Sequence, residues 1–309
     1  MTVNRVWMAL LLGAAMWGCE KSTGPSTSAQ PPLAGLRYFD AVVDTSYMDF
    51  RVVDIVQFAP NAVRAVFRSG GDPSGTTNGF LSPPYLPVQT GAHDIRVFLD
   101  SNCTTACSSL GTDTTVMFDT TVTFAQGHNY TFILYGSARA KTLHSLVLDD
   151  QNMALPADNG VWVRTINLAT GIDTTGLGPS VDAYVIAQSA SPATPPTFAG
   201  ATNLFGKATA YVRVPVGSLQ AVLTRAGTVA PLTLSLTSAA TGTGSNFPAG
   251  VVGTSTVQVV AGSLVKNTAF SVIILPRTAQ PMTGNPSAAR FANPGAYIMI
   301  DQQPPLTAP

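Results

Sequence analysis

Hydrophobic and polar positions alternate along most of this chain in short runs, rich in Val, Ile, Phe, Tyr and Thr and bounded by Gly, Pro, Asn and Asp. The first series of runs covers 36–43, 49–58, 62–68, 94–100, 114–124, 130–135 and 143–148. The second covers 161–167, 181–187, 208–214, 219–224, 232–236, 255–260, 270–275 and 297–300. Val181-Asp182-Ala183-Tyr184-Val185 has the period of two that buries one face of a strand. No stretch sustains a helical period with caps. Many short strands between turn residues predict an all-β protein built as sandwich or barrel, of which tandem sandwiches are the expected form. A membrane-spanning barrel fits poorly, because the runs are mostly shorter than the roughly 9–11 residues a crossing strand needs.

The two series resemble each other in order. Leu36-Arg37-Tyr38-Phe39-Asp40 corresponds to Val163-Arg164-Thr165-Ile166-Asn167, and Arg37 and Arg164 are 127 residues apart. Asp49-Phe50-Arg51-Val52 corresponds to Asp182-Ala183-Tyr184-Val185. The segment ending at Gly91 corresponds to the one ending at Gly217. Tyr130-Thr131-Phe132-Ile133 corresponds to Phe270-Ser271-Val272-Ile273, 140 residues on. Loop insertions explain the drift in spacing. The expected organisation is a first β-domain over 36–155, a second over 156–280, and a segment 281–309 that brings back a late strand.

The N-terminus follows another pattern. Arg5 precedes an apolar run over 6–17, which ends in Gly18-Cys19. Twelve apolar residues are too few for a membrane-spanning helix, which needs about 20. Residues 1–18 therefore read as an export signal. The segment resembles a bacterial lipoprotein signal, although Met16 and Trp17 stand where Leu and a small residue are usual. The resemblance implies lipidation of Cys19, by a palmitate-type acyl chain, and cleavage before it. Glu20, where Asp would favour inner-membrane retention, leans the address towards the outer membrane or cell surface. Residues 19–35 are rich in Ser, Thr, Gly and Pro and read as a flexible tether.

Composition narrows the work such a protein can do. Of 309 residues 45% are hydrophobic, but only 10% are charged, with 16 basic against 16 acidic side chains. A phosphate backbone would find no basic field, so nucleic acid is not an expected partner. Cys103 and Cys107 bracket Thr-Thr-Ala between two strand-like runs, and in an oxidising compartment they read as a local structural disulfide. Free or metal-binding thiols and a redox pair are the alternatives.

Residues of catalytic type are scattered. His93 and His128 fall in turn-like sequence and His144 in a strand, and the second half has no His. No nucleophile elbow, phosphate loop or paired-imidazole spacing occurs. Asp149 and Asp150 with Asn152 form the one candidate oxygen-rich metal site, against which solvated strand-end carboxylates are the plainer reading. No catalytic residue and no cofactor is assigned. Most aromatic rings are expected in the cores.

An arginine-led first strand, Asp-x-x-Val, a turn ending in Gly and Tyr-Thr-Phe-Ile before a Gly together resemble the DUF4397 family. The elements are 36–40, 49–53, 86–91 and 126–136 in the first half, and 163–167, 181–185, 215–217 and 270–273 in the second. The Ser-Pro-Asp-Ala common after the family's opening strand is replaced by Val43-Asp44-Thr45-Ser46 and Gly171-Ile172-Asp173-Thr174. The resemblance implies bacterial extracellular domains of uncharacterised function, often duplicated and often on lipoproteins, with an immunoglobulin-like or related sandwich fold. It supplies no catalytic residue. The expected function is a non-enzymatic envelope or surface lipoprotein with tandem immunoglobulin-like modules, held to a membrane by its lipid and acting in binding, adhesion or envelope organisation. Its partner would be an envelope polymer, glycan or protein. A carbohydrate-binding module and an enzyme of unrecognised class are the alternatives.

Overall fold

A computed structural model describes residues 31–42, 44, 48–54, 80–81, 85–99, 115–150, 159–169, 180–235, 241–276 and 293–303. Every regular element among them is a strand. The protein is all-β in these residues, as the alternating runs predict. The described residues from Leu33 onward form one compact unit.

The first half contributes β1 (Leu33–Val42), β2 (Met48–Val52), β3 (Phe80–Leu81), β4 (Leu86–Gln89), β5 (Gly91–Leu99), β6 (Val116–Phe124), β7 (Asn129–Ser137) and β8 (Thr142–Asp149). The second half begins with β9 (Gly160–Asn167), β10 (Val181–Ala187), β11 (Lys207–Ala208), β12 (Val212–Pro215) and β13 (Leu219–Arg225). It continues with β14 (Leu234–Ser235), β15 (Thr241–Gly242), β16 (Ser245–Asn246), β17 (Ala269–Leu275) and β18 (Gly295–Gln302).

Two sheets have the same strand order and directions. One runs β4-β1-β7-β8. The other contains β12, β9, β17 and β18 in the same sequence, with β11 on the β9 edge and β3 beyond β18. In each, the opening strand lies parallel to the late strand and antiparallel to the short edge strand. Leu36 is opposite Tyr130 and Leu86, and Val163 is opposite Phe270 and Val212. Each sheet has a smaller companion, β2-β5-β6 in the first half and β10-β13-β16 in the second.

The period of two decides which core each side chain enters. From β1, Leu36, Tyr38 and Val42 join Phe50, Val97, Phe124 and Phe132 in a core between the first half's two sheets. From β9, Val161 and Val163 join Leu223, Phe247, Phe270 and Ile298 in the corresponding core of the second half. The alternate residues face the other way. Phe39, Ala41, Ile133, Tyr135 and Leu148 meet Ile166, Ile273, Leu275, Tyr297 and Met299 in a third core shared by both halves. The central strands are therefore buried on both faces, giving, among the described residues, four sheet layers around three cores. This explains the near-continuous apolar reading of β7 and β17, since neither face meets water.

Some runs differ from their expected form. The run 208–214 is split between β11 and β12, and 255–260 has only a bridge, Val251 to Val260, in place of a strand. The run 62–68 lies outside the described residues. Pro87 sits in β4, an edge strand of its sheet, where a missing N–H is tolerated.

Candidate functional site

The third core ends in polar groups rather than apolar ones. Arg37 precedes Phe39 on the inward face of β1, and Arg164 precedes Ile166 on the inward face of β9. Thr131 lies beside Arg37 on β7, and Ser271 lies beside Arg164 on β17. Asp150 immediately follows β8, and Asp301 lies near the end of β18. Tyr85 and Tyr211 each stand just before a short edge strand, β4 or β12. The eight residues form two matching sets that meet where the two central sheets face each other.

Each arginine reaches both aspartates. Arg37 donates from Nε to Thr131 Oγ1 at 2.6 Å, from Nη1 to the Ile300 carbonyl at 2.7 Å, and from Nη2 to Asp301 Oδ1 at 2.9 Å and Asp150 Oδ2 at 3.3 Å. Arg164 donates from Nε to Ser271 Oγ at 2.7 Å and from Nη2 to Asp150 Oδ1 at 2.7 Å. Its Nε also stands 3.4 Å from Asp301 Oδ2. Thr131 donates to Asp150, and Ser271 to Asp301. The Tyr85 hydroxyl donates to Asp150 at 2.8 Å, and that of Tyr211 to Asp301 at 2.7 Å. The Arg37 guanidinium lies 4.5 Å from the centre of the Tyr85 ring, and that of Arg164 lies 4.8 Å from the centre of Tyr211.

Arg37 is 1% exposed, Asp150 3%, Arg164 5% and Asp301 6%. Two buried cations and two buried anions leave no net charge. That is the condition under which buried ions persist, provided hydrogen bonds also occupy their remaining capacity. The guanidinium fork suits the task, because it can serve a hydroxyl, a carbonyl and two carboxylates from one plane.

Electrostatics follow from burial. Desolvation pushes the phenols of Tyr85 and Tyr211 far above their ordinary value. The aspartates push the same way, while Arg37 and Arg164 respectively pull back. Burial works against the charge on Arg164, but Asp301, Tyr211 and Asp150 outweigh it and raise its pKa. The Asp150 carboxyl is shifted upward by burial and by Asp301, against the pull of Arg37 and Arg164.

The carboxylates singled out in the sequence separate here. Asp150 is not a solvated strand-end group. Its Oδ2 accepts from Arg37, Tyr85 and Thr131 and its Oδ1 from Arg164, so both oxygens are engaged by the chain's own donors. Asp149 points elsewhere and contacts His128 Nδ1 at 2.7 Å. Among the described residues, no three His, Cys, Asp or Glu side chains gather as metal ligands. Asn152, Cys19, Cys103 and Cys107 lie outside the described residues.

His93 corrects its turn-like reading. It lies within β5, is 9% exposed, and contacts Asp54 through Nδ1 at 3.1 Å. His144 is an exposed residue of β8. The aromatic expectation holds for Tyr38, Phe39, Phe50 and Tyr184, which are all buried.

Tyr85, Tyr211 and Asp301 carry no motif in the sequence. Their signal is spacing: Tyr85 and Tyr211 immediately precede corresponding segments, and Asp150 and Asp301 stand 151 positions apart. A second echo is Asp40, whose Oδ1 accepts from the backbone N–H of Val42 at 3.0 Å. Asn167, 127 positions on, does the same for Ala169 at 3.0 Å.

Residues 34–175 match the family model described as Domain of unknown function (DUF4397), a span that includes Arg37, Tyr85, Thr131, Asp150 and Arg164. No curated protein matches the chain.

Proposed function

We propose that this protein, which matches DUF4397 over residues 34–175, is a non-enzymatic lipoprotein of the bacterial envelope. In this reading two related immunoglobulin-like β-sandwich modules are locked into one rigid body. The lipid on Cys19 ties that body to the outer membrane or cell surface, Cys103 and Cys107 close a loop as a disulfide, and the outer faces bind an envelope polymer, glycan or protein.

The observation that carries this reading is the closed arginine–aspartate centre. It gathers the residue types that catalysis would use, yet every carboxylate oxygen in it accepts from the chain's own donors. A general base needs an oxygen within reach of substrate, and Asp150 and Asp301 offer none to solvent. The centre instead serves as a rivet, each half supplying an arginine to the other half's aspartate. Matching strand order and register in the two halves support descent from one module.

The test has two arms. Fatty-acid labelling of the parent and a Cys19→Ser variant should show label and detergent-phase partitioning in the parent alone. A screen of glycans and envelope polymers should find saturable binding without turnover. An unlabelled parent would remove the anchor, and turnover of a bound polymer would remove the non-enzymatic reading.

A further inference from the structure

The two halves differ most in one connection. In the first half β6 passes to β7 through four residues, 125–128. In the second half, β16 passes to β17 through 22 residues, 247–268. The longer connection folds back on itself. Val251 and Val260 exchange backbone hydrogen bonds at 2.9 and 3.0 Å, and the Thr254 N–H donates to the Val257 carbonyl at 2.9 Å across the tip. The base is fastened to the sandwich. Ser263 donates to the Pro248 carbonyl, Leu264 to that of Ala249, and Gly217 to that of Ser263.

This hairpin presents the wrong residues to water. Val251, Val252, Val257, Val260 and Leu264 are 41 to 61% exposed, and Val216, beside the base, is 43% exposed. Singly scattered exposed apolar residues are ordinary, but five on one hairpin, with Val216 beside its base, are a concentration that calls for a partner. The hairpin's sequence carries a single charged residue, Lys266. Between Arg225 and Lys266 the chain has no Asp, Glu, Lys, Arg or His, and Lys266 is exposed at the foot of the hairpin.

The position of the hairpin names the partner. β1 and β9 run the same way across the shared core. The Arg37 and Arg164 levels meet through Asp150 and Asp301, and further along Tyr135, opposite Ala41, touches Phe205, which bridges to Asn167. Both strands therefore start at the same end of the molecule. The hairpin sits there, because Asn267 and Trp162 bond across to Gly160 and Thr268 at the start of β9. Leu33 sits there too, beside the Gly127 turn. Leu33, the first residue of β1, thus lies at the end of the folded body that carries the hairpin.

We propose that the 247–268 hairpin is a membrane-contacting tip that seats its valines among lipid headgroups and upper acyl chains of the bilayer holding the Cys19 lipid. This rests on the anchor reading of Cys19. A lipid on a flexible tether holds the body near the bilayer without orienting it, and a second apolar contact would fix that orientation. Lys266 would stand at headgroup level, where its charge meets anionic lipid.

The test uses residues 20–309 without lipid, which retain the whole compact unit, and vesicles of phosphatidylethanolamine and phosphatidylglycerol. The expected result is sedimentation with vesicles that falls at least tenfold in a Val252→Asp/Val260→Asp variant of unchanged melting temperature. A Val252→Trp variant should show a blue-shifted emission on adding vesicles. Absence of vesicle binding, or binding that the aspartates leave untouched, overturns the proposal. So does self-association that the same variant abolishes, which would make a second copy the occupant. Labelling of Cys19 in the parent is read separately, so loss of the anchor and loss of the hairpin contact are distinct results.

Discussion

Arg37 and Asp301 stand 264 positions apart in sequence, yet their side chains meet at 2.9 Å with almost no solvent access. The first half thus supplies the cation and the second half the anion. Arg164 and Asp150 make the opposite exchange at 2.7 Å. Replacing Arg37 by Met leaves two buried carboxylates facing one guanidinium. Removing one member of a buried pair costs about 3–5 kcal/mol, so Arg37→Met should lower stability by that amount in urea unfolding. Arg37→Lys should recover little, because an ammonium cannot serve Thr131, the Ile300 carbonyl and two carboxylates at once.

The same charge balance predicts a rescue. Removing Asp301 together with Arg37, as Arg37→Met/Asp301→Leu, leaves Arg164 paired with Asp150 and the centre neutral again. The double variant should lose less than the sum of the two single losses by about 1–3 kcal/mol, the coupling expected for residues in one network. Additive losses in a double-mutant cycle would show that the two side chains do not act as a pair.

The chain displays parts of this centre openly and hides others. The period of two in the strand runs and the parallel order of the halves are visible because each strand must bury alternate residues. Arg37 and Arg164 stand out as arginines inside apolar strands. Asp150 looks like a solvated carboxylate because sequence shows it beside Asp149 at a strand end, whereas its partners Arg37, Tyr85, Thr131 and Arg164 come from four other segments. Burial of both faces of β1 and β9 is equally hidden, since it depends on how one pair of sheets packs on the other. His93 follows a glycine and looks like a turn residue, but Gly91 takes a positive φ at the very start of β5 and the strand runs on through His93.

Tyr85 and Tyr211 predict behaviour at alkaline pH. Their phenols are raised from an ordinary value of 10.0 by burial first and by the aspartates next. The folded chain holds these protons more tightly than the unfolded chain. The associated stability is present in full below about pH 10 and is lost as pH rises through and beyond it, by up to about 1.4 kcal/mol per unit for each phenol. Urea midpoints measured between pH 8 and pH 11.5 should fall more steeply in the parent than in Tyr85→Phe/Tyr211→Phe. Equal slopes would show that the phenols do not titrate differently on folding.

Gly206 tests the contact between the halves at the other end of the shared core. Its φ of +71° is one that side chains rarely adopt, and a Cβ there would lie 2.6 Å from the Tyr135 hydroxyl. Gly206→Ala should cost about 1–3 kcal/mol, through backbone strain and displacement of the Tyr135 ring from Phe205. Pairing it with Tyr135→Phe, which removes the obstructing oxygen, should return part of that loss in thermal melts.

The shared core makes a final prediction about cooperativity. Two sandwiches joined only by a linker would unfold as two transitions, each sensitive to changes in its own half. Here β1, β7, β9, β17 and β18 each place alternate side chains in the core that both halves build, so neither half can open without exposing apolar area of the other. Ile133 and Ile273 come from opposite halves and are both fully buried in that core. Truncating either to Ala should cost about 2–5 kcal/mol. Calorimetry should then show one transition that moves down in both variants, with calorimetric and van't Hoff enthalpies in agreement. If Ile133→Ala split off a low-temperature transition while Ile273→Ala left that transition in place, the halves would be unfolding separately and the centre at Arg37 and Arg164 would not be acting as a rivet.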